Sequence, residues 1–259
     1  MVGWLCKVPI IIGGYRNTYP AQLEWLLWRL SDRVICNAKA LQDIMVKEHK
    51  VPLEHIRMVP NGVDTKLFAP KDEKKSERPI VLCAARYVAH KGQEQLIKIF
   101  SNVIKAVPKA RLELVGEGPC RGDLERLVKR AGLCESVFVE GATEKIVEKM
   151  QKAWLFVLLS TDEGTANVLL EAQSTGLPVI ANDVGGVAEI VEHGETGYLV
   201  DRENKEQISA MMIDILSDDR LRKSLGAKAR RNIKEKYSLE KVVRQTEEVI
   251  TELCQSLVH

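Results

Sequence analysis

Short apolar runs alternate with amphipathic segments along almost the whole chain. The apolar runs are typical of buried strands, whereas the segments between them repeat apolar residues every three or four positions, as helices do. The runs that predict strands are VPIII, RVICNA, IRMVP, PIVLCAA, ARLELVG, VFVEG, AWLFVLLS, PVIAND and GYLV. The segments that predict helices are AQLEWLLWRL, KALQDIMVKEH, GQEQLIKIFSNVIKAV, GDLERLVKRAG, EKIVEKMQKA, NVLLEAQSTG, VAEIVEH, ISAMMIDILSDD, RLRKSLGAKARRNIKEKY and SLEKVVRQTEEVITELCQSLVH. This alternation predicts an α/β protein with a parallel sheet covered by helices on both faces.

A polar segment divides the chain into unequal parts. Residues 66–78, KLFAPKDEKKSER, carry a run of charges and one proline, which is typical of a solvated linker. We therefore predict a partial front piece over 1–65, a linker over 66–78, a larger α/β unit over 79–236 and a C-terminal helix over 237–259.

The front piece offers few strands and helices. We expect a core strand from Val8 to Ile12, and Trp25 and Trp28 lie on one helical face, where they most simply fill a core. So few elements do not make a covered parallel sheet alone. Either the front piece packs on the larger unit, or residues that would complete it are absent from this chain.

Composition excludes several classes of protein. The net charge of +2 is too small to favour nucleic-acid binding. The six cysteines are scattered without a CxxC pair, which indicates reduced thiols in the cytoplasm and argues against a zinc site or a disulfide framework. No apolar run approaches the roughly 20 residues needed to cross a bilayer. We expect an ordinary soluble cytoplasmic protein.

Two acidic residues mark the stretch STDEGTANVLLEAQSTGLPVIAND. Glu163 falls in a loop after the strand AWLFVLLS, and Glu171 falls on the first or second turn of the next helix. Open α/β sheets bind ligands at the carboxyl ends of their strands, and free N–H groups at a helix start suit an anion such as phosphate. The stretch therefore predicts an anion-binding spot flanked by two carboxylates.

Two cations, Arg86 and Lys91, follow an earlier strand in ARYVAHKG. At a strand-to-helix junction they form a plausible clamp for a diphosphate, because a guanidinium can bind two oxygens. By position alone, two surface cations near a helix end are at least as simple an explanation.

Glycines follow the strand ARLELVG in LVGEGP. Gly116 and Gly118 permit a tight turn or the close approach of a ligand. The segment GEGPCRG does not match the GxGxxG pattern of dinucleotide-binding proteins, because Gly122 comes one residue late. A plain turn is the commoner explanation. Gly185 and Gly186, at the start of the helix VAEIVEH, also have two possible roles: they line the ligand cleft, or they serve the backbone structure alone.

Taken together, ARYVAHKG, LVGEGP, EGTANVLLEA, GLPVIANDVGG and HGETGYLV occur in an order and spacing that resembles the family 4 glycosyltransferases. The resemblance covers essentially the whole chain, is most specific from Pro79 to Val200, and includes NGVDTKLFAP, which leads into the second domain of such enzymes. It implies the GT-B fold, in which two Rossmann-like domains face a cleft. Residues 79–236 would be the C-terminal, donor-binding domain with its parallel sheet, and 1–65 a partial N-terminal α/β piece.

The resemblance also implies roles for individual residues. Glu163 would contact the hydroxyls of the donor sugar, while Arg86 and Lys91 would neutralise the diphosphate, so these three would carry catalysis. Glu171 would accept hydrogen bonds from the nucleotide ribose. The remaining donor contacts would come from Gly116, from backbone N–H groups around Ala166, Asn167 and Val168, and from the loop Val139 to Thr143 near the base, which includes Gly141.

The family implies partners and conditions as well. Transfer retains the anomeric configuration and normally needs no metal, so no cofactor is expected beside the donor substrate, a UDP- or GDP-sugar. The acceptor would be a sugar or a lipid-linked sugar in cell-envelope or extracellular polysaccharide synthesis. That role allows peripheral contact with the inner face of the membrane, and no nucleic acid is expected.

Three features depart from the family pattern. Gly164-Thr165-Ala166-Asn167 stand where many members have a Gly-Phe-Gly-like loop, which should alter the sugar contacts. Ala85 precedes Arg86 where Gly is common. The chain is also expected to start well inside the N-terminal domain, so that the first strand with its Gly-rich loop, most acceptor contacts and any catalytic His would be missing.

Two alternatives follow. A truncated chain could retain the nucleotide-sugar site as a non-catalytic binding module. A glycosidase using Glu163 and Glu171 as acid and nucleophile ranks lower, because hydrolysis needs no diphosphate clamp.

Overall fold

Two parallel sheets organise the protein. The computed structural model describes residues 8–16, 28–71 and 75–256. The first sheet contains β1 (Ile12–Tyr15), β2 (Arg33–Cys36) and β3 (Ile56–Met58). The second contains β4 (Ile80–Ala84), β5 (Arg111–Val115), β6 (Val137–Glu140), β7 (Leu155–Leu158), β8 (Val179–Asn182) and β9 (Gly197–Val200). The pairs in both sheets are parallel, which confirms the predicted α/β class.

The first sheet has the order β1-β2-β3, and α1 (Lys39–Lys47) packs on it through Leu41 and Met45. The predicted strand from Val8 to Ile12 is wrong in its bounds, because the strand starts at Ile12 and Val8 is 47% exposed. Gly13 and Gly14 instead continue the pairing with β2. Glycine has no side chain with which to show burial, so an apolar pattern misses a strand that is half glycine.

The helix predicted over 21–30 falls mostly outside the described residues, as does Trp25. Residues Trp28–Leu30 form a short 3-10 turn. Trp28 is partly buried against the core beneath α1, in agreement with its predicted packing role.

The large sheet has the order β6-β5-β4-β7-β8-β9. From the central β4 the chain runs outward through β5 and β6, and then returns to the other side of β4 for β7, β8 and β9. This is the order of a Rossmann-type doubly wound sheet, and ligands bind such sheets where the order reverses, here between β4 and β7. Both strands, IVLCA and LFVL, are apolar throughout, as strands covered on two faces are.

Helices cover both faces of this sheet. Side chains on β4 alternate, with Val81 in one core and Leu82 in the other. The first core is formed with α2 (Gln93–Ala106), α3 (Arg121–Arg130) and α7 (Lys205–Ser217). The second is formed with α4 (Ile146–Lys152), α5 (Asn167–Ser174) and α6 (Val187–Ile190), and α8 (Asp219–Lys236) contributes to both.

The last helix, α9 (Leu239–Ser256), returns to the first sheet. Val249 and Leu253 are buried against Val59, which directly follows β3. An ion pair of 3.3 Å joins Arg57 of β3 to Glu252 of the helix. The C-terminal helix therefore ties the two sheets together.

The segment predicted as a linker, 66–78, is bonded to the larger unit near both ends. Arg230 of α8 donates hydrogen bonds to the carbonyl oxygens of Thr65 and Phe68, at 2.7 and 3.0 Å. Trp154 donates its indole N–H to the carbonyl oxygen of Ser76 at 2.8 Å. The connection is thus held against the large unit rather than simply solvated.

The structure bears on two expectations from composition, one about the cysteines and one about membrane-spanning helices. The cysteines in the described part of the chain are free thiols: Cys36, Cys83, Cys120, Cys134 and Cys254. Within the same residues, no helix combines the length and the apolar character that crossing a bilayer requires.

Candidate functional site

The loops after β4 and β7 meet at the reversal point of the large sheet. The first loop carries Arg86 and Lys91, and the second carries Glu163. They are far apart in sequence, but β4 and β7 are hydrogen-bonded neighbours whose carboxyl ends share one edge. The edge that the sequence predicted for ligand binding therefore carries these three charges.

Gly92 allows the two loops to touch. Its φ is +74°, and a Cβ at this position would lie 2.3 Å from the carbonyl oxygen of Leu159, so a side chain does not fit. Two residues earlier on this loop, the carbonyl oxygen of His90 accepts a hydrogen bond of 2.8 Å from the N–H of Thr161. This backbone contact brings the side chains of both loops within reach of each other.

Lys91 and Glu163 form an ion pair across this contact. The Nζ atom lies 2.6 Å from Oε1, and the side chains are only 15% and 11% exposed. The Coulomb attraction is stronger there than in water, although the loss of hydration offsets part of it. An ammonium group has three donors and a carboxylate has two acceptor oxygens, so both groups retain capacity for a ligand.

Gly185 and Gly186 support the Glu163 loop from the next strand. Gly185 has a φ of +54°, and a Cβ there would lie 1.7 Å from the carbonyl oxygen of Glu163. The N–H of Gly186 donates to the carbonyl oxygen of Gly164 at 3.1 Å. Of the two interpretations left open by the sequence, the structural one explains both glycines.

Tyr87 anchors the loop between the two cations. It is fully buried, and its hydroxyl donates toward the carbonyl oxygens of Leu114 at 2.7 Å and Glu140 at 2.6 Å. Burial raises the pKa of Tyr87 above its usual value, which keeps the hydroxyl protonated as a donor. The sequence analysis missed this residue, although an aromatic side chain inside a polar loop is a signal for an anchor.

Arg86 differs from Lys91 in its exposure. Its guanidinium is exposed and makes no hydrogen bond or ion pair with the residues that the structure describes. Its backbone is held in place, because the side chain of Gln93 donates to its carbonyl oxygen at 2.9 Å. The described residues therefore leave the donors of Arg86 available to a ligand at this edge.

The start of α5 faces the same edge. Ala166 precedes the helix and provides no side-chain cap. The N–H of Asn167 already donates to the carbonyl oxygen of Thr165 at 3.1 Å, and Ala166 itself is buried. Of the three N–H groups expected to face phosphates, that of Asn167 is thus engaged within the protein. Val168 is half-buried on the first turn.

Glu171 lies on the second turn of α5 and is half-buried. Burial raises the pKa of its carboxyl, because desolvation disfavours the charged form. Its carboxylate accepts no hydrogen bond from the described residues. It is therefore available to a donor such as a ligand hydroxyl.

Gly116 and Gly141 lie on the neighbouring loops after β5 and β6. A Cβ on Gly116 would lie 2.1 Å from the carbonyl oxygen of Ala85, so this glycine lets the β5 loop pack on the β4 loop. A Cβ on Gly141 would lie 2.7 Å from Oε1 of Glu117, the flexible end of a side chain. The close backbone contact supports the turn explanation for Gly116.

Within the described ranges, no group of three or more His, Cys, Asp or Glu side chains is placed to hold a metal ion.

A doubly wound domain with a charged site at its reversal point is an architecture that many nucleotide-binding proteins share. The sequence model described as "Glycosyl transferases group 1" matches residues 64–232, and the one described as "Glycosyltransferase Family 4" matches residues 9–67. The first match covers well over half of the chain. The chain therefore belongs to the group 1 glycosyl transferases, as the sequence motifs had predicted.

Curated relatives agree with this assignment. The N-acetyl-alpha-D-glucosaminyl L-malate synthase of Bacillus anthracis is 29% identical over 206 residues, which cover 76% of this chain and 54% of the relative. The GDP-mannose-dependent alpha-(1-6)-phosphatidylinositol monomannoside mannosyltransferase of Mycolicibacterium smegmatis is 33% identical over 196 residues. These residues cover 69% of this chain and 50% of the relative. The chain spans about half the length of these relatives.

The fold is shared with solved glycosyltransferases. The crystal structure of Anabaena HepE in complex with UDP superposes with a TM-score of 0.87 at 21% identity, covering 97% of this chain and 75% of the other. This similarity confirms the expected GT-B fold, with a Rossmann-like six-stranded unit and a three-stranded N-terminal α/β piece.

Proposed function

We propose that this chain binds a nucleotide-diphosphate sugar, a UDP- or GDP-sugar, and transfers the sugar with retention to an acceptor hydroxyl. The observation that carries the proposal is the contact between Lys91 and Glu163 at the reversal point, where doubly wound sheets bind nucleotides. Membership of the family supports sugar transfer as the reaction at this site.

The two cations act on the diphosphate. Arg86 is exposed with free donors, and Lys91 has donors beyond its bond to Glu163. As the bond to the sugar breaks, negative charge grows on the diphosphate, and preorganised cations stabilise that charge. The first turn of α5 adds the N–H of Val168 and the helix dipole. These charges belong to the protein, so the reaction is proposed to need no metal.

The carboxylates act on hydroxyls. Glu163 accepts hydrogen bonds from the donor sugar, and its pairing with Lys91 links the sugar end of the donor to the phosphate end. Glu171 has no donor among the described residues, and the ribose hydroxyls of the nucleotide supply it. The base lies along the loops at Gly116 and at Val139 to Thr143, which includes Gly141.

The acceptor is proposed to be a sugar or a lipid-linked sugar, in cell-envelope or extracellular polysaccharide synthesis. The names of the two relatives support glycoconjugate synthesis broadly, since one names an L-malate product and the other a phosphatidylinositol monomannoside. A lipid-linked acceptor would require peripheral contact with the inner face of the membrane.

Donor turnover tests the proposal. The purified chain is incubated in EDTA with UDP-glucose, UDP-N-acetylglucosamine or GDP-mannose and with a methyl glycoside as the acceptor, and release of nucleoside diphosphate is measured. We expect release from at least one donor, strongly reduced in Glu163→Gln and Lys91→Ala, and a product whose anomeric NMR coupling matches that of the donor. Nucleotide binding without release would favour the non-catalytic module, and a product of inverted configuration would refute retention.

A further inference from the structure

Helix α1, which packs on the first sheet, begins without a cap from its own chain segment. The residue before the helix is Ala38, which is 2% exposed and makes no side-chain cap hydrogen bond. The first N–H groups of a helix have no partner within the helix, so they need an acceptor from elsewhere. Ser, Thr, Asp or Asn usually supplies that acceptor from the position that Ala38 occupies. The start of α1 therefore depends on another part of the protein.

Glu189, on α6 of the large unit, supplies the missing cap. Its Oε2 accepts a hydrogen bond of 2.9 Å from the N–H of Lys39, and its Oε1 accepts one of 3.2 Å from the N–H of Ala40. The carboxylate lies at the positive end of the helix dipole, and hydrogen bonds to a charged group are stronger than neutral ones. The partners are 150 and 149 positions apart in sequence, so this cap joins the large unit to the first sheet.

The backbone of Glu189 is held on both sides. Its N–H donates to the carbonyl oxygen of Gly186 at 3.2 Å, and its carbonyl oxygen accepts a hydrogen bond from the hydroxyl of Tyr237. Tyr237 is buried, and this burial raises the pKa of its hydroxyl to about 12, so the hydroxyl remains a donor at neutral pH. The carboxylate is therefore presented to α1 from a fixed position.

The backbone next to Glu189 also supports the donor loop. Gly186 donates its N–H to the carbonyl oxygen of Gly164 at 3.1 Å, one residue after Glu163. A Cβ on Gly186 would lie 3.1 Å from the Cβ of Ala38, so the start of α1 packs closely here. One short stretch of the large unit thus contacts both the Glu163 loop and α1.

The residues on either side of the first sheet's edge touch the same loop. A Cβ on Gly164 would lie 3.1 Å from the carbonyl oxygen of Arg16, and Oγ1 of Thr165 donates to the carbonyl oxygen of Asn37 at 3.4 Å. The first sheet therefore forms a wall beside Glu163. A wall at this place keeps water away from the reacting bond, and small displacements near reacting groups cost large factors in rate.

Resting on the proposed function, we propose that Glu189 is a positioning residue for the sugar transfer. By capping α1 it holds the first sheet against the loop that carries Glu163, and so fixes the wall beside the donor sugar. Glu189 acts through α1 and through this loop rather than on the donor, so nucleotide binding does not depend on it.

Transfer rate and nucleotide affinity, measured on the same variants, test this role. The full chain, Glu189→Ala and Glu189→Gln are compared in the donor-turnover assay and by calorimetric titration of UDP or GDP. We expect Glu189→Ala to transfer about tenfold or more slowly than the parent and to bind the nucleotide within about twofold of it. Glu189→Gln should lie between the two in rate, because it retains one acceptor oxygen but loses the charge.

Glu192→Ala is the matched control. Glu192 is an exposed carboxylate three residues after Glu189, and its ion pair with Lys236, at 2.7 Å, lies within the large unit. This variant should transfer and bind as the parent does. An equal loss of rate in Glu192→Ala would assign the effect to charge in this region rather than to the cap on α1, and would contradict the inference.

A local cap separates positioning from simple stabilisation of α1. Adding Ala38→Ser to Glu189→Ala gives the helix an acceptor from its own segment. We expect the unfolding temperature to rise towards that of the parent and the transfer rate to stay low, because a cap within the first sheet's own helix does not bind the large unit. Hydrogen–deuterium exchange over residues 160–165 should be faster than in the parent in both variants, whether or not the chain turns over a donor.

Three outcomes would overturn the inference: transfer by Glu189→Ala at the parent rate, recovery of transfer in the double variant, or unchanged exchange over residues 160–165 in Glu189→Ala. In each case turnover by the parent chain would leave the proposed function standing. A parent chain that releases no nucleoside diphosphate would instead refute the proposed function itself.

Discussion

At the scale of single residues, the surroundings of each charge decide what it can do. Arg86, Lys91 and Glu163 were predicted from their positions after strands, and the structure places Lys91 in contact with Glu163. The sequence could not predict that contact, because it depends on β4 and β7 being neighbours and on the tight approach at Gly92. The sequence predicted that Glu171 lies on a helix. It could not predict that Glu171 is half-buried, because this depends on how α5 packs.

Glu171 should make stability depend on pH. Burial raises its pKa in the folded protein, so the folded state resists ionisation more than the unfolded chain does. Below the unfolded pKa of about 4.3 both states are protonated and there is no penalty. The penalty develops as pH rises through the higher, folded pKa. Glu171→Gln should therefore unfold at a higher temperature than the parent at pH 7, with the difference narrowing as pH falls towards 5.

Thermal unfolding followed by circular dichroism between pH 5 and 8 measures this effect. Glu235→Gln, an exposed change on α8, is the control and should shift the midpoint little at any pH. If Glu171→Gln is equally or less stable than the parent across the range, the burial of this carboxyl is refuted.

At the scale of elements, apolar periodicity predicted most of the strands. The runs PIVLCAA and AWLFVLLS became β4 and β7, because buried parallel strands are apolar on both faces. The run VPIII predicted β1 too early in the chain, because two of the four residues of β1 are glycines and add nothing to an apolar pattern. Contacts between loops could not be predicted. Gly185, for example, is required because the carbonyl oxygen of Glu163, on the loop after β7, leaves no room for a side chain.

Gly185→Ala should damage the site through the Glu163 loop. The new methyl would meet the carbonyl oxygen of Glu163, so the loop must move as well as accept a positive φ. Gly132→Ala is the matched control, because Gly132 also has a positive φ, of +68°, but no atom within 4 Å of a Cβ. The control should lose about 1–2 kcal/mol of unfolding free energy, the usual strain of that conformation.

Gly185→Ala should lose at least about 1 kcal/mol more than the control, because overlap is added to strain. It alone should also weaken UDP or GDP binding, since Glu163 and Lys91 move with the loop. Urea unfolding and calorimetric titration give the two quantities. Equal losses in both variants, with nucleotide affinity unchanged, would show that this loop contact is unimportant.

At the scale of the whole molecule, long-range packing joins what the sequence predicted as separate parts. The amphipathic pattern over 237–259 predicted a helix but did not indicate its partner. The structure packs α9 on the first sheet through Val249 and Leu253. Likewise, periodicity predicted alternating strands and helices, whereas the strand order that creates the reversal point depends on crossover connections that no local pattern encodes.

Leu253→Ala should destabilise the chain as a whole. Leu253 is 5% exposed, and truncating a buried leucine costs about 2–4 kcal/mol of unfolding free energy. Ile250→Ala on the same helix is the control, because Ile250 is 43% exposed and should change stability by no more than about 0.5 kcal/mol. Urea unfolding compares them, and equal effects would mean that α9 does not pack on the first sheet as described.

Isothermal titration of UDP and GDP into the parent chain, Arg86→Ala, Lys91→Ala and the control Lys109→Ala tests the central claim most directly. Lys109 is an exposed lysine at the opposite edge of the sheet, just before β5. We expect the parent to bind at least one nucleotide, the two site variants to bind about 10- to 100-fold more weakly, as lost charge-assisted hydrogen bonds imply, and the control to match the parent. Unchanged affinity in both site variants, or no binding by the parent, would contradict a diphosphate site at the edge between β4 and β7.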